Sequence, residues 1–533
     1  MGGKIMKTQT ELTRGFGAQF PKNLIANMLY FIINVIIGIL IVPYFISTLG
    51  VAAYGLIPLA TSITGYVGII VQALNSAVSR YLTVDLQKED YVAANKTFST
   101  SVFGLSAIIA FMIPLIVILS YFAPVIFNVP AGLGNDVFIL FLCVCFTVLI
   151  RSWNGNFTVQ LFAYNRLDYQ NIVSIVNIIV QTGLILAFFT LYGPNLAAVG
   201  IAYVSGAISA SLVAIVLAKK VCPHLKISAH SFDIAQLKAI GSMSWWVIID
   251  QTGTLLFLQI DLTIVNLLFG AQPSGEYALV LMWVMLIWGV TNAIAGVLSP
   301  MIYTYYAKAQ VETLTKMLVT SIKFLGLFLA LSVGLICGFA PQILTLWVGD
   351  EFTFLSPLMT LLLLPLVINC AILPLFAVNI AYNRVRVPGI VTFFMGVGNI
   401  VLAVGLPLLT GWGYYGVAAA IAIMLTLRHA IFVPWYASRV LGVRASIFIQ
   451  SILPGIVAAL ILAAGSAIIG NYIPITSMFS LVIIGGSISM IYLVMVVKFT
   501  LSPFERGLIL TYLPKNMRKL VRLPDHIPQP VSP

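Results

Sequence analysis

From Asn23 to Phe499 the chain is a succession of long apolar runs of Leu, Ile, Val, Ala and Phe, separated by short polar, Gly- and Pro-containing breaks. A helix rises about 1.5 Å per residue and the hydrocarbon core of a bilayer is about 30 Å thick, so about 20 apolar residues make one span. The runs do not alternate with period two, which excludes barrel strands, and inside lipid each must close its backbone hydrogen bonds within itself. The pattern predicts an all-α polytopic membrane protein. It has roughly fourteen spans: 22–47, 54–82, 98–126, 135–161, 171–192, 196–218, 238–268, 276–306, 318–345, 355–381, 388–410, 414–440, 446–470 and 476–500.

Charge then orients the spans. The alternate connections near 50, 130, 194, 272, 350, 412 and 473 contain no Lys or Arg, whereas the 27 basic residues collect in the other connections, the two termini and the adjoining span halves. The positive-inside bias places both termini in the cytoplasm and the protein, multi-pass, in the cell inner (plasma) membrane. One missed or invented helix would invert the charge pattern downstream of it, and no inversion occurs. Lys4, Lys7 and Arg14 precede a first span without a cleavage-site pattern, so that span is expected to be retained. The connections expected outside are short and hold no catalytic domain.

Ala163-Tyr164-Asn165-Arg166 closes the fourth span, and Ala381-Tyr382-Asn383-Arg384 closes the tenth, 218 residues later. Gly200 to Ala202 and Gly416 to Ala418 repeat at an offset of 216. Tyr54 and Tyr277 open the second and eighth spans. These landmarks predict two six-helix lobes in parallel repeat, residues 1–225 (spans 1–6) and 226–442 (spans 7–12). Residues 443–533 hold a further helix pair and a basic cytoplasmic tail. Transporters with such repeats bind substrate between the lobes and alternate access by rocking.

Charged residues at span centres cost about 2.5–3.5 kcal/mol each on insertion scales, so they face a cavity or a partner. Arg151 lies deep in span four and Arg428 deep in span twelve; Asp250 and Asp261 both lie on span seven. The two acids are eleven residues apart, which on a straight helix returns to nearly one face. In one reading Arg151 and Arg428 line a water-filled cavity and hold an anionic group of the substrate, while Asp250 or Asp261 binds a coupling ion. In the other these charges form interhelical pairs that fix packing. His429 is a candidate proton relay or a hydrogen-bonded bystander. Among the in-span asparagines Asn75, Asn292, Asn369, Asn379 and Asn399, we take Asn75 and Asn369 as cavity candidates, with helix-to-helix hydrogen bonds as the alternative. Arg80, Arg166 and Arg384 sit at cytoplasmic span ends, where they mark the entrance of a transport path or snorkel to headgroups. Pro114, Pro365, Pro374, Pro407 and Pro454 predict kinks.

Composition agrees: 61% of the 533 residues are hydrophobic and 8% charged. The net charge of +12 follows from topology and does not call for nucleic acid as a partner. The five cysteines show neither a disulfide nor a metal pattern, and no phosphate-binding Gly-rich loop is present.

Leu49-Gly50, Tyr54-Gly55, Thr61-Ser62-Ile63-Thr64-Gly65-Tyr66 and Ser79-Arg80-Tyr81 resemble the first helical pair of polysaccharide flippases in the multidrug, oligosaccharidyl-lipid and polysaccharide exporter superfamily. Gln259-Ile260-Asp261 through Gly270, with Gly275-Glu276-Tyr277, is similar to that family's seventh span and the start of its eighth. The resemblance implies a flippase, not an enzyme, that moves an undecaprenyl-pyrophosphate-linked oligosaccharide to the outer leaflet. It implies an ion gradient as the driving force, with H+ or Na+ as coupling ion and no other cofactor. Membrane lipids and other polysaccharide-assembly proteins are the expected partners. A cationic cavity suits pyrophosphate, because Arg offers charge-assisted bonds to its oxygens. The rival readings are a cation-coupled multidrug exporter, which Asp250 keeps open, and a membrane glycosyltransferase or polymerase, which lacks an outside loop here.

Overall fold

The computed structural model describes residues 2–88, 90–503 and 505–506, with the side chains of 2–18, 20, 300 and scattered positions within 67–87 and 239–258 outside the described set. Arg80 and Asp250 are among those side chains, so their expected roles lie outside what the structure describes.

No strand occurs among the described residues, as the runs predict. The helices are α1 (Gly2–Leu49), α2 (Val51–Gln87), α3 (Tyr91–Ile126), α4 (Gly134–Ala163), α5 (Leu167–Tyr192), α6 (Leu196–Val221), α7 (Ile234–Leu258), α8 (Ile260–Phe269), α9 (Ala271–Ala307) and α10 (Val311–Gly338). They continue as α11 (Ala340–Val348), α12 (Ser356–Leu363), α13 (Leu366–Ala371), α14 (Pro374–Ala381), α15 (Arg386–Thr410), α16 (Tyr414–Thr426), α17 (Val433–Leu441), α18 (Ser446–Tyr472) and α19 (Met478–Met495). Among the described residues twelve helices are long and apolar enough to cross a membrane, or thirteen when the bent pair formed by α7 and α8 counts as one span. The remaining expected span, 54–82, falls on α2, part of whose side chains lie outside the described set. The chain is a multi-pass membrane protein. Bilayer-facing apolar side chains such as Leu24, Ile25, Met28, Ile32 and Leu40 stay exposed along α1 because lipid, not protein, covers them.

Expected prolines act in two ways. At Pro365 and Pro374 span ten divides into α12, α13 and α14, as a missing N–H and a ring clash dictate. Pro114, Pro407 and Pro454 lie inside continuous helices.

The chain forms two compact units, residues 1–279 with 386–421, and residues 280–385 with 422–533. In the first unit, small residues let α6 pack closely: Gly200 meets the backbone of α4 at Leu140, where a Cβ would stand 3.0 Å from Leu140 Cα, and Gly206 meets the Asn177 carbonyl on α5. Leu82, Phe98, Phe157, Val173 and Ala214 fill the core among α2 to α6. In the second unit α10 lies on α18 through Gly326 against Gly455, Gly334 against Leu462 and Gly338 against Ser466. Without a hydrophobic force between helices in lipid, such close backbone approach supplies the dispersion contact that holds them.

Candidate functional site

Helix α2 carries Thr61, Thr64, Gly65, Gly68, Asn75 and Ser79 on one face: at about 100° per residue they fall within an arc of about 100°. This stripe forms one wall of a cavity of about 730 Å³ in the first unit. Arg151 and Ser152 of α4 form a second wall, and Gln251 and Leu255 of α7, with Gln259, a third. Within it the Asn75 Nδ2 donates to the Ser152 carbonyl at 3.1 Å, and Asn75 Oδ1 is buried without a partner. Gly155 makes this possible, since a Cβ there would overlap the Asn75 amide.

Arg151 also lines a second cavity, of about 600 Å³, enclosed by α1, α4, α5 and α6. It is the one residue common to the two linings, its side chain exposed. The ion pairs among the described residues are Lys96 with Asp233, Arg166 with Asp168, Lys316 with Glu312 and Lys323 with Glu505. Arg151 belongs to none of them, so its charge is not neutralised by a described carboxylate. It faces the tyrosines Tyr30 and Tyr203 across the second cavity. A guanidinium placed this way keeps its planar fork of donors free for an anion.

Of the expected acids of span seven, only Asp261 has a described side chain. The span bends by 42° at the break between α7 and α8, so it is not the straight helix that the eleven-residue spacing assumed. Asp261 enters the first turn of α8, where the helix dipole favours a carboxylate. It is 2% exposed and accepts hydrogen bonds from Asn399 Nδ2 at 3.2 Å and Tyr277 Oη at 3.3 Å. Asn399 also donates to the Leu256 carbonyl at 3.2 Å, tying α15 to the end of α7.

The second unit holds Arg428, 7% exposed, in a π-helical segment (Leu427–Phe432). Its guanidinium carbon lies 5.3 Å from the Phe376 ring centroid. Arg428, expected at a cavity, is thus buried, on a helical turn of widened pitch. His429 is buried beside it, its ring 5.6 Å from Phe376 and both ring nitrogens without a hydrogen-bond partner. Asn369 and Asn379 are buried in the same unit, each with an unpartnered Oδ1, while Asn292 Nδ2 donates to the Trp288 carbonyl at 2.9 Å.

At the span ends, Arg166 binds Asp168 through Nε and Nη2, both at 2.9 Å, and its guanidinium carbon lies 3.5 Å from the Tyr169 ring centroid. The hydrogen bond and charge of Asp168 hold Arg166 above the usual guanidinium range. Its fork is thus filled from within the chain. Arg384, its counterpart in the repeat, is exposed. Sequence reasoning did not single out Gln251, and treated Gln259, Thr61, Thr64 and Ser79 only as family landmarks. The signal was present as the 3.6-residue periodicity of polar positions along α2.

The profile of the polysaccharide biosynthesis protein family matches residues 20–306, more than half of the chain. EpsK of Bacillus subtilis (strain 168), described as an uncharacterized membrane protein, is 30% identical over 502 residues, covering 94% of this chain and 98% of its own length. The chain belongs to the polysaccharide biosynthesis protein family. Membership agrees with the resemblance carried by residues 49–81 and 259–277, and the family match encloses α2, α4, α7 and α8, which build the first cavity and hold Asp261. The fold is shared with the lipid II flippase MurJ in an inward closed conformation, at TM-score 0.64 and 18% identity over 91% of this chain and 99% of that one. It is shared equally with an inward-facing multidrug resistance MATE family transporter of the MOP superfamily, at TM-score 0.64 and 14% identity over 79% of this chain and 94% of that one.

Proposed function

We propose that this family member is a flippase that carries an undecaprenyl-pyrophosphate-linked oligosaccharide from the inner to the outer leaflet by ion-coupled alternating access. In this reading both termini are cytoplasmic and the protein does no bond chemistry. The observation that carries it is Arg151: a cation deep in a span, facing a polar cavity of about 730 Å³ without a described carboxylate partner. Such a group is costly in a membrane unless an anion completes it, and pyrophosphate offers oxygens that match its donors. Family membership supports polysaccharide as the context. The flippase MurJ matches more of this chain than the MATE transporter does, 91% against 79%, which suits a protein with a further C-terminal helix pair.

Asn75 is the neutral contact beside Arg151. Arg428 and Asn369, buried in their own unit, serve packing there. Asp261, with two neutral donors around its carboxylate, is the station for the coupling ion, H+ or Na+. A cation-coupled drug exporter is the second reading, favoured by the shared MATE fold and by Asp261; a cavity whose described lining holds a cation and no acid opposes it.

The test is the appearance of lipid-linked sugar on the outer leaflet, scored beside membrane protein level. Arg151→Ala is expected to abolish flipping at normal protein level, and Arg151→Lys to restore it in part, since Lys keeps the charge and lacks the fork. Normal flipping by well-inserted Arg151→Ala would remove the anion-binding role.

A further inference from the structure

The second cavity is left unused by that reading. At about 600 Å³ it lies within the ~300–1,000 Å³ typical of small-molecule sites, but such sites are mostly apolar and this one is not. Tyr30, Asn34, Gln170, Ser174, Gln181 and Tyr203 line it with amides and hydroxyls. Among the described residues its lining includes no acid, and Arg151 is its one charged member.

Two further lining residues, Asn154 on α4 and Asn177 on α5, are each 6% exposed, and the Oδ1 of each has no hydrogen-bond partner. A buried acceptor left unmet costs about 1–3 kcal/mol, so rotation of either amide that brings its closed-off Oδ1 to the cavity would be rewarded by a ligand with O–H or N–H donors. An apolar ligand would leave both unmet. A pyranose ring carries hydroxyls around its rim that donate and accept together, and its C–H faces can lie on tyrosine rings such as Tyr30 and Tyr203. Helix α4 separates the two cavities, and Arg151 reaches both.

We propose that the cavity among α1, α4, α5 and α6 is a glycosyl pocket. A sugar ring donates to Asn154 and Asn177, while the acidic group next to that ring is held by Arg151. This rests on the reading of Arg151 as an anion site, and it adds where the neutral part of the substrate goes and what chemistry receives it.

The test is calorimetric titration of the purified full-length protein in lipid nanodiscs with inorganic phosphate, glucose, glucose 1-phosphate and N-acetylglucosamine 1-phosphate. At least one glycosyl phosphate is expected to bind about tenfold or more tighter than phosphate alone, the worth of roughly one net hydrogen bond. The double variant Asn154→Leu with Asn177→Leu should bind phosphate as the parent does and lose that tenfold preference. Equal binding of phosphate and both glycosyl phosphates by the parent means the pocket holds water only, which overturns the proposal and leaves the anion site standing. Absence of any phosphate binding overturns both. Should the double variant not fold, Ser174→Cys serves instead. The preferred glycosyl phosphate should slow its labelling by a small water-soluble maleimide, and phosphate should not; labelling unaffected by either overturns the pocket.

Discussion

Gly65 of α2 stands directly against the side chain of Gln259, so close that a Cβ at Gly65 would overlap the glutamine amide. Both residues line the first cavity, and Gln259 marks the break between α7 and α8. A second crossing lies nearby in sequence. A Cβ at Gly55 would stand 2.6 Å from Gly275 Cα, and one at Gly275 would run into the Val51 carbonyl. The motifs that carry the family resemblance, 49–66 and 259–277, are therefore two sides of one contact.

The two crossings predict different outcomes. Gly65→Ala displaces only the far end of a flexible side chain, so the protein should fold, with Gln259 pushed aside and transport reduced. Gly275→Ala meets backbone that cannot move aside, and overpacking of that kind costs about 1–3 kcal/mol or more. Monodisperse yield and melting temperature in detergent should fall for Gly275→Ala and hold for Gly65→Ala. Gly183→Ala, with open space at the site, is the neutral control.

Asp261 is completed by Asn399 and Tyr277 rather than by a described cation. Asp261→Asn keeps the shape and removes the charge, so it should preserve fold and membrane level while abolishing the dependence of transport on the ion gradient. Asn399→Leu removes the Nδ2 donor to both Asp261 and the Leu256 carbonyl, and should lower stability by about 1–3 kcal/mol. Gradient-driven transport unchanged in Asp261→Asn would return this acid to packing.

Asn165 and Asn383, the third residues of the repeated tetrapeptide, adopt left-handed backbone with φ of 54° and 52°. In each case the following Arg N–H closes on a carbonyl five residues back at 2.8 Å, Arg166 to Leu161 and Arg384 to Asn379. Asn adopts this conformation more readily than Ala, which the chain accepts only with strain, at Ala309 among the described residues, at a cost of roughly 1–2 kcal/mol. Asn383→Gly should therefore be neutral and Asn383→Ala destabilising. Asn165→Gly should cost more than Asn383→Gly, because Asn165 Oδ1 also accepts from Asn23 Nδ2 at 3.1 Å. Thermal unfolding of the three single variants checks the ranking.

The loop between α6 and α7 is fastened to α3. Lys226 N–H donates to Asn95 Oδ1 at 2.7 Å, Ser228 N–H to Ser99 Oγ at 3.1 Å and Asp233 N–H to Thr100 Oγ1 at 3.0 Å. Lys96 pairs with the Asp233 carboxylate, and its hydrogen bond holds Asp233 below the usual carboxylate range. A depressed folded pKa gives stability that is present above the unfolded value of about 3.9 and is lost as pH falls through the folded one. Limited proteolysis of the loop should thus accelerate only below about pH 4, and Asp233→Asn should remove that acid step. Cleavage with the same pH profile in parent and variant would show the pair to be idle, as many exposed pairs are.

Several features were legible along the chain because each depends on a few neighbouring residues. The apolar runs predicted helices wherever long helices stand. Pro365 and Pro374 predicted breaks that occur, and the Ala-Tyr-Asn-Arg repeat marked two identical turns. The bend after Leu258 was not legible, since no Pro or Gly marks it, and it breaks what reads as one span just before Asp261.

The sequence by itself determined that the protein is a helical membrane protein, where most spans run, and that Arg151, Arg428 and Asp261 lie deep within them. Hydropathy and helical period act over a single helix, and burial depth follows from them directly. Only the tertiary structure decided which deep charges face open space. Arg151 opens onto two cavities because α2, α7 and the pair α5 and α6 leave room on both sides of α4, whereas Arg428, in a π-helical segment, is buried beside Phe376. That choice depends on helices distant in sequence meeting side by side, and on glycines such as Gly65, Gly155 and Gly206 that set how near they come.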